Sequence, residues 1–134
     1  MKIIDRSIEL AYKLNQSTPK EFRHAHFATI WRKNKLISIG RNNPISTNGR
    51  TMYFARRYNL LKLKAFPFQH SEIDAIGRAW GKYYLDNSYT LVVLRIDKRG
   101  FLNNSKPCEC CSCIINALGL KTYYSNGEGK ICEC

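Results

Sequence analysis

The sequence has no long hydrophobic run. No apolar stretch approaches the roughly 20 residues that a membrane-spanning helix needs, and residues 1–6 lack the apolar core of a signal peptide. We therefore expect a cytoplasmic protein with no membrane partner. No stretch rich in proline, glycine or serine interrupts the 134 residues, so we expect one domain over residues 1–134.

Acidic residues are scarce, with 10 Asp and Glu against 22 Lys and Arg and a formal net charge of +12. This charge favours an anionic partner, such as a nucleotide or a nucleic acid, over a surface whose charge serves only solubility. No acid lies between Arg50 and Lys64, where cations alternate with aromatic and aliphatic residues. That segment has three interpretations. Its arginines could bind a nucleotide phosphate, its cations and aromatic residues could bind single-stranded nucleic acid, or it could be a solvated amphipathic helix.

Cysteine is absent before Cys108, and all six cysteines lie between Cys108 and Cys134. A disulfide scaffold would distribute its cysteines along the chain to link distant parts. Tight clustering in a chain without a secretion signal indicates metal ligation or reduced thiols instead.

The spacing of apolar residues predicts three main helices. They are expected over residues 3–14, over 71–82 and from Pro107 to a stop at Gly119. Ser71 is expected to cap the second helix, and Pro107 to lie in the first turn of the third. A further short helix is expected within residues 45–69.

Four strands are predicted around these helices, over residues 27–31, 36–39, 89–96 and 121–124. The first two should form an antiparallel hairpin, and the third is apolar enough to be buried on both faces. Gly40 to Pro44 should form a loop, and the tail after Gly129 has no assigned structure. The element order predicts an α/β domain with a mixed central sheet covered by helices.

Two short patterns, each at a predicted helix start, have the residue types of a metal site. They are His70-Ser71-Glu72 and Pro107-Cys108-Glu109-Cys110-Cys111. One imidazole and two thiolates suit the tetrahedral shell of zinc. Cys108 and Cys111 are one helical turn apart, and the positive end of a helix favours thiolates. The sequence therefore predicts a Zn²⁺ site formed by His70, Cys108 and Cys111.

Glu72 is the predicted catalytic residue. Three protein ligands leave one zinc position open for a water, which the metal activates as a nucleophile. Hydrolysis also needs a group that takes the proton of this water and returns it to the substrate. A carboxylate two residues from a metal ligand can reach both places, and Glu72 is not itself a ligand.

A zinc ribbon made from cysteines alone is the alternative to this site. Cys108, Cys111, Cys132 and Cys134 offer four thiolates, but this arrangement leaves Pro107 and the His-x-Glu pattern without a role. In the favoured interpretation Cys110 and Cys113 are helix residues without metal. His24 and His26 are then structural rather than ligands.

The joint pattern, H-x-E followed by P-C-x-x-C, resembles the zinc-dependent cytidine and deoxycytidylate deaminase superfamily. The resemblance runs from about Phe27 to Gly127, and the segments 39–42, 70–76, 105–111 and 119–125 carry it. It implies a three-layer cytidine-deaminase-like fold. It also implies four substrate-binding residues: Asn42 at the sugar, Ser105 and Lys106 in the base pocket, and Tyr124 beside the base. Lys106 and the long basic connection over 44–69 depart from the family pattern and leave the size of the substrate open.

The resemblance implies hydrolytic deamination of cytosine in a small nucleoside or nucleotide, such as deoxycytidylate or deoxycytidine, to the uracil analogue and ammonia. One alternative, which the +12 charge favours, is deamination of cytosine within single-stranded DNA or RNA; adenine in RNA ranks lower. A weaker alternative is a zinc-stabilised nucleic-acid-binding module without turnover. Many members of the family self-associate, so a homo-oligomer is a further expectation.

Overall fold

Helices and strands alternate along the chain. The computed structural model describes residues 2–22 and 24–134. The helices are α1 (Lys2–Asn15), α2 (Gly49–Arg57), α3 (Leu61–Ala65), α4 (Ser71–Ala79) and α5 (Glu109–Leu118). The strands are β1 (Ala25–Arg32), β2 (Lys35–Arg41), β3 (Asn43–Thr47), β4 (Phe68–Gln69), β5 (Tyr89–Ile96), β6 (Leu102–Asn103), β7 (Lys121–Ser125) and β8 (Ile131–Glu133).

The central sheet is mixed, as predicted. Its strand order is β2-β1-β5-β7-β8, and β6 pairs with the end of β5. β5 and β7 are parallel, whereas the other pairs in this sheet are antiparallel. β3 and β4 form a separate two-stranded antiparallel ribbon. The predicted hairpin of β1 and β2 is confirmed, with Arg32 paired to Lys35 across the turn.

Helices cover both faces of this sheet and give three layers. On one face, Ile3 and Ala11 of α1 belong to a buried cluster with Phe27, Trp31 and other residues of β1 and β5. On the other face, α2 to α5 pack over a larger cluster. Successive residues of β5 enter the two clusters alternately, so the prediction of a strand buried on both faces is confirmed.

The segment after β1 differs from its predicted structure. β2 continues through Gly40 to Arg41, and β3 begins at Asn43 and contains Pro44, so the loop expected over 40–44 was wrong. Proline is tolerated there because β3 is an edge strand with a single partner. The 45–69 connection holds two short helices rather than one.

Element ends also differ from their predicted positions. α4 ends at Ala79 because Trp80 adopts an extended conformation and Gly81 has a positive φ of 88°. The unassigned tail forms β8, which pairs with β7. α5 ends as predicted, at Gly119, whose φ of 75° is the left-handed conformation of a glycine C-cap. Across residues 2–22 and 24–134, no helix combines the length and apolar character that crossing a bilayer requires.

Candidate metal centre

The first turn of α4 lies directly on β2 because residue 40 has no side chain. A Cβ at Gly40 would lie 2.1 Å from the Ser71 carbonyl oxygen and 2.3 Å from the Ala75 amide nitrogen. On the same strand, the Ser38 hydroxyl donates a hydrogen bond to the Ala75 carbonyl oxygen at 2.7 Å. The sheet therefore fixes the helix turn from which His70 and Glu72 project.

Asp74 holds α4 to its other neighbours. Its buried carboxylate accepts hydrogen bonds from the Arg41 backbone N–H at 3.0 Å, from Arg50 at 2.9 Å and from Arg78 at 3.2 Å. These bonds connect α4 to the end of β2 and to α2. No role was predicted for Asp74, although an acid two positions after Glu72, in a chain with few acids, was an available signal.

The N-terminal caps of both helices differ from the predicted ones. His70, not Ser71, is the N-cap of α4, because Ser71 is already within the helix; its hydroxyl instead donates a hydrogen bond to the Glu72 carboxylate at 2.9 Å. Cys108 is the N-cap of α5, so Pro107 precedes the first turn rather than lying in it. The Cys108 sulfur accepts a hydrogen bond from the Cys111 N–H.

These two helix starts bring an imidazole and two sulfurs together. His70 Nδ1 lies 3.8 Å from Cys108 Sγ and 3.5 Å from Cys111 Sγ. The three ligand atoms all lie within 4.8 Å of one another. A tetrahedral zinc ion with standard Zn–N and Zn–S bonds places its nitrogen and sulfur ligands about 3.6 Å apart. The donor set and its spacing therefore fit zinc.

The two thiols have unequal pKa values. A hydrogen bond from the Cys111 thiol, together with one from His70, lowers the pKa of Cys108 to about 4. The same hydrogen bond and complete burial raise the pKa of Cys111 well above its ordinary value. The hydrogen bond to Cys108 also raises the pKa of His70. A metal ion ligated by both sulfurs would displace a thiol proton and hold both cysteines as thiolates.

Glu72 is buried beside the metal ligands. Only 6% of the residue is exposed. Burial raises the pKa of its carboxyl, and the hydrogen bond from Ser71 offsets part of that effect. A bound dication would lower this pKa again. Burial and a bound dication would therefore act on the pKa of Glu72 in opposite directions.

A cavity of about 560 Å³ opens onto this centre. His70, Glu72 and Cys108 contribute to its wall. The remaining described lining comes from Glu21, His24, His26, Asn42, Pro44, Ile45, Phe68, Gln69, Ser71, Ser105 and Lys106. This volume falls within the range of small-molecule binding sites.

Asn42 and Ser105 line the cavity but have backbone partners. Asn42 accepts a hydrogen bond from the His26 N–H and donates one to the His24 carbonyl oxygen, each at 2.9 Å. The Ser105 hydroxyl donates to the Val93 carbonyl oxygen at 2.7 Å and accepts from the Ser125 N–H at 2.9 Å. Both side chains therefore shape the cavity by joining chain segments around it.

The other predicted substrate residues lie differently. Lys106 is exposed at the cavity wall. Tyr124 packs against the larger core cluster, and the described cavity lining does not include it. That lining also includes no residue of 50–64, and Arg50 pairs with Asp74 instead.

The remaining cysteines form no second centre within the described residues, where the His70 cluster is the one group of three or more potential ligands. None of the six cysteines is in a disulfide. The cysteine-only ribbon therefore does not form. His24 and His26 lie in the cavity wall outside the ligand cluster, a placement that sequence reasoning missed because their roles depend on neighbours distant in the chain.

Two solved structures resemble the chain. The dCMP deaminase of the cyanophage S-TIM5, in apo form, is 19% identical, with a TM-score of 0.58 over 94% of this chain and 84% of that one. The cytidine deaminase of Burkholderia pseudomallei is 18% identical, with a TM-score of 0.59 over 97% of this chain and 90% of that one. Comparison with protein-family models and with curated protein sequences finds no match. The chain therefore has the three-layer cytidine-deaminase-like α/β fold that the sequence patterns implied.

Proposed function

We propose that the protein is a zinc-dependent hydrolase that deaminates cytosine in a small nucleoside or nucleotide, of the dCMP or deoxycytidine type. The observation that carries this proposal is that His70, Cys108 and the buried Glu72 face one cavity of about 560 Å³. The likeness in fold to a dCMP deaminase and a cytidine deaminase supports the same chemistry.

In this proposal His70, Cys108 and Cys111 hold the zinc ion. Bound there, zinc would act as a Lewis acid that makes a water nucleophilic near neutral pH. The chain contributes the position of this chemistry, since α4 and α5 start at the same wall of the cavity.

Glu72 moves the protons of the reaction. Its carboxylate takes a proton from the attacking water and passes it to the ring nitrogen beside C4. A second proton from the water reaches the amino group by the same route, the C4–N bond breaks, and ammonia leaves. The products are the uracil analogue and ammonia. A carboxyl whose pKa is raised by burial suits a group that both accepts and returns a proton.

The size of the cavity favours a small substrate. Cavities of roughly 300–1,000 Å³ hold molecules of nucleoside and nucleotide size. The cations and aromatic residues of 50–64 stay outside the described lining, so the cavity itself gives no support to a nucleic-acid substrate. In the proposed complex Asn42 and Ser105 shape the walls, and Lys106 lies at the rim.

A panel of substrates tests the proposal. We expect the zinc-loaded protein to release ammonia and the uracil analogue from dCMP or deoxycytidine, faster than from cytidine or from a cytosine-containing oligonucleotide. Turnover of the oligonucleotide alone, with steep inhibition by salt, would replace the proposed substrate by nucleic acid. Absence of turnover with all four compounds would favour a binding module.

Replacing the carboxylate tests the role of Glu72. Glu72→Gln should lower kcat by about 10²–10⁴-fold, the usual contribution of general acid–base catalysis, while zinc content stays near one per chain. The matched control is Glu109→Gln, because Glu109 lies in the first turn of α5 but its side chain is 86% exposed. Full activity in Glu72→Gln would refute the assignment.

A further inference from the structure

A basic surface lies at the end of the sheet opposite the metal centre. Its first part is a concavity at the β1–β2 turn, lined by the four cations Arg6, Arg32, Lys33 and Lys35 and by no carboxylate among the described residues. None of these four cations has an ion-pair partner in the described part of the chain. Apart from the longer-range attraction between Arg32 and Asp86, their charges are left for a ligand from outside.

The two arginines are held in place by groups other than acids. The Arg6 guanidinium lies 4.5 Å from the centre of the Trp31 ring and donates a hydrogen bond to the Asn34 carbonyl oxygen at 2.8 Å. The Arg32 guanidinium lies 5.5 Å from the centre of the Tyr89 ring. Rings and a carbonyl orient these cations without neutralising them.

Lys33 occupies a backbone conformation that disfavours a lysine. Its φ is +56°, in the left-handed region that glycine and asparagine adopt at lower cost. The two-residue turn of the β1–β2 hairpin calls for a positive φ at this position, and a lysine occupies it. Here that side chain adds a fourth positive charge to the concavity.

The second part of the surface combines cations with aromatic rings. Tyr83 lines the first concavity and also its neighbour, which contains Arg57, Lys82 and Tyr84. Tyr84 is 87% exposed and Tyr83 37% exposed. The one carboxylate in the described lining of this neighbour, Asp86, accepts hydrogen bonds from Ser88 within its own turn.

We propose that this basic face, formed by Arg6, Arg32, Lys33, Lys35, Arg57 and Lys82 with the tyrosines between them, binds single-stranded nucleic acid. Cations that follow the phosphate backbone, together with exposed rings on which bases stack, are the elements of sequence-tolerant single-strand binding. A duplex would leave the rings unused, because its bases are already stacked. A second copy of this chain would bring its own charge of +12 to the same face, which disfavours self-association there.

This face is separate from the proposed active site. His70 lies at the start of α4, whereas Trp80 and Tyr83 follow its end, about 14 Å further along the helix axis. Along β1, His26 lies at the cavity and Arg32 at the basic face, about 20 Å apart. Binding at the face therefore goes beyond the proposed deamination and does not depend on it.

Fluorescence anisotropy with labelled oligothymidylate and oligouridylate of twenty nucleotides tests the proposal on the intact protein. Neither probe contains cytosine, so deamination cannot contribute to the signal. The variant Arg32→Gln/Lys33→Gly/Lys35→Gln should bind both probes about tenfold or more weakly, and the slope of log Kd against log salt should fall by about two. Glycine is chosen at residue 33 because it suits the positive φ.

A second triple variant tests whether binding depends on where the cations lie or only on the total charge of the protein. Lys13→Gln/Lys20→Gln/Lys98→Gln removes three charges from exposed positions that line neither concavity and have no ion pair in the described part of the chain, and it should bind as the unmodified protein does. Tyr84→Ala, at a side chain too exposed to affect folding, should weaken binding about fivefold or more with an unchanged salt slope.

Three outcomes would overturn the proposal. They are no saturable binding at low salt, equal losses in both triple variants, and binding to phosphatidylserine vesicles but to neither oligonucleotide. dCMP turnover by the same preparations is measured in parallel. If the unmodified protein turns over dCMP but does not bind the oligonucleotides, the nucleic-acid proposal fails. If it binds the oligonucleotides but does not turn over dCMP, the proposed deamination fails.

Discussion

His70 and Glu72 are two positions apart, yet both face one cavity. Inside an α-helix, residues i and i+2 project in different directions. His70 and Glu72 can still face the same cavity, because His70 is the N-cap, with extended backbone angles, whereas Glu72 belongs to the first helical turn. The H-x-E spacing therefore works at a helix start and would fail in a helix interior. Cys108 and Cys111 need no such exception, because residues three apart lie on one face of α5, with Cys108 as its N-cap.

A variant of Lys106 can test whether the substrate is a nucleotide or a nucleoside. It is exposed at the wall of the cavity and is the one Lys or Arg in the described lining. If its ammonium pairs with the substrate's phosphate, Lys106→Gln should raise KM for dCMP about tenfold while KM for deoxycytidine changes little, because only the nucleotide loses a charged contact. Steady-state kinetics with both substrates measures this difference. An equal rise for both would assign Lys106 to the base or sugar.

At the residue scale, proximity could be predicted where the spacing is local. The spacings of His70, Cys108 and Cys111 are set within two helix starts, and the structure brings their ligand atoms within 4.8 Å. Asn42 and Tyr124 show the limit. The partners of Asn42 are backbone groups in and just before β1, and the core position of Tyr124 depends on packing between elements. Neither can be read from neighbours in the sequence.

At the scale of elements, the contact of β2 with α4 sets the position of the candidate site. Gly40→Ala would place a methyl group against the backbone of α4, which cannot rotate away as a side chain can. We expect a loss of about 3 kcal/mol in the free energy of unfolding, at the upper end of the usual cost of overpacking, and a fall in activity as the first turn of α4 shifts. Urea unfolding and dCMP turnover measure the two effects.

Gly49→Ala is the matched control, because a Cβ there meets nothing within 4 Å. Alanine at this first position of α2 should leave stability equal or slightly higher. If both variants behave alike, the close approach of β2 to α4 does not constrain the fold.

The turn between β5 and β6 makes a prediction about pH. Backbone N–H groups of Phe101 and Arg99, with the Arg99 and Asn103 side chains, donate hydrogen bonds to Asp97 and lower its pKa from 3.8 to about 2. A carboxyl with a lowered folded-state pKa stabilises the fold above its unfolded pKa, and this contribution is lost as the pH falls towards 2. Asp97→Asn should therefore be less stable than the unmodified protein at pH 6, and the gap should narrow between pH 4 and pH 2.

Urea unfolding of the unmodified protein and of Asp97→Asn at each pH measures this difference in the free energy of unfolding. The control is Glu128→Gln, whose carboxylate makes only an exposed contact of 3.8 Å with Lys130 and should give almost no gap at any pH. A constant gap for Asp97→Asn from pH 6 to pH 2 would show that its side-chain hydrogen bonds, rather than its charge, stabilise the turn.

Element types were more predictable than element ends. β5 was found with its exact bounds because its apolar run is long and Asp97 ends it. The ends of β2 and α4 were missed. Asn43 and Pro44 suggested a loop from their own preferences, whereas pairing with β4 makes the segment a strand. Trp80 fits a helical period, yet the chain leaves the helix there. Tertiary pairing overrides local preference in β3, whereas the end of α4 has a local signal in Gly81, whose φ is positive.

At the scale of the whole molecule, the excess of positive charge is unevenly distributed. The sequence predicted an anionic partner from the +12 charge and pointed to residues 50–64. In the structure Arg50 is paired with Asp74, whereas Arg6 of α1 joins Arg32 and Lys35 of the β1–β2 hairpin in one concavity. Net charge is a property of composition, but the location of unpaired charge depends on the fold.

The proposed metal would also connect two helices, which leads to a prediction for the stability of the whole molecule. His70 belongs to the start of α4 and the two cysteine ligands to α5, so zinc bound by the folded chain alone would stabilise it by mass action. At free zinc about a thousandfold above its Kd this contribution is about 4 kcal/mol, which corresponds to on the order of 10 °C in Tm for a domain of this size.

Thermal unfolding with and without a chelator should therefore differ by that amount in the unmodified protein. Cys111→Ser should abolish the difference, because it removes a ligand. Cys113→Ser, at an exposed thiol of the same helix, should keep it. Glu72→Gln should keep it too, since Glu72 is assigned to proton transfer rather than to zinc. A Tm that chelation leaves unchanged, or an equal loss of the zinc effect in both cysteine variants, would contradict the assigned ligand set.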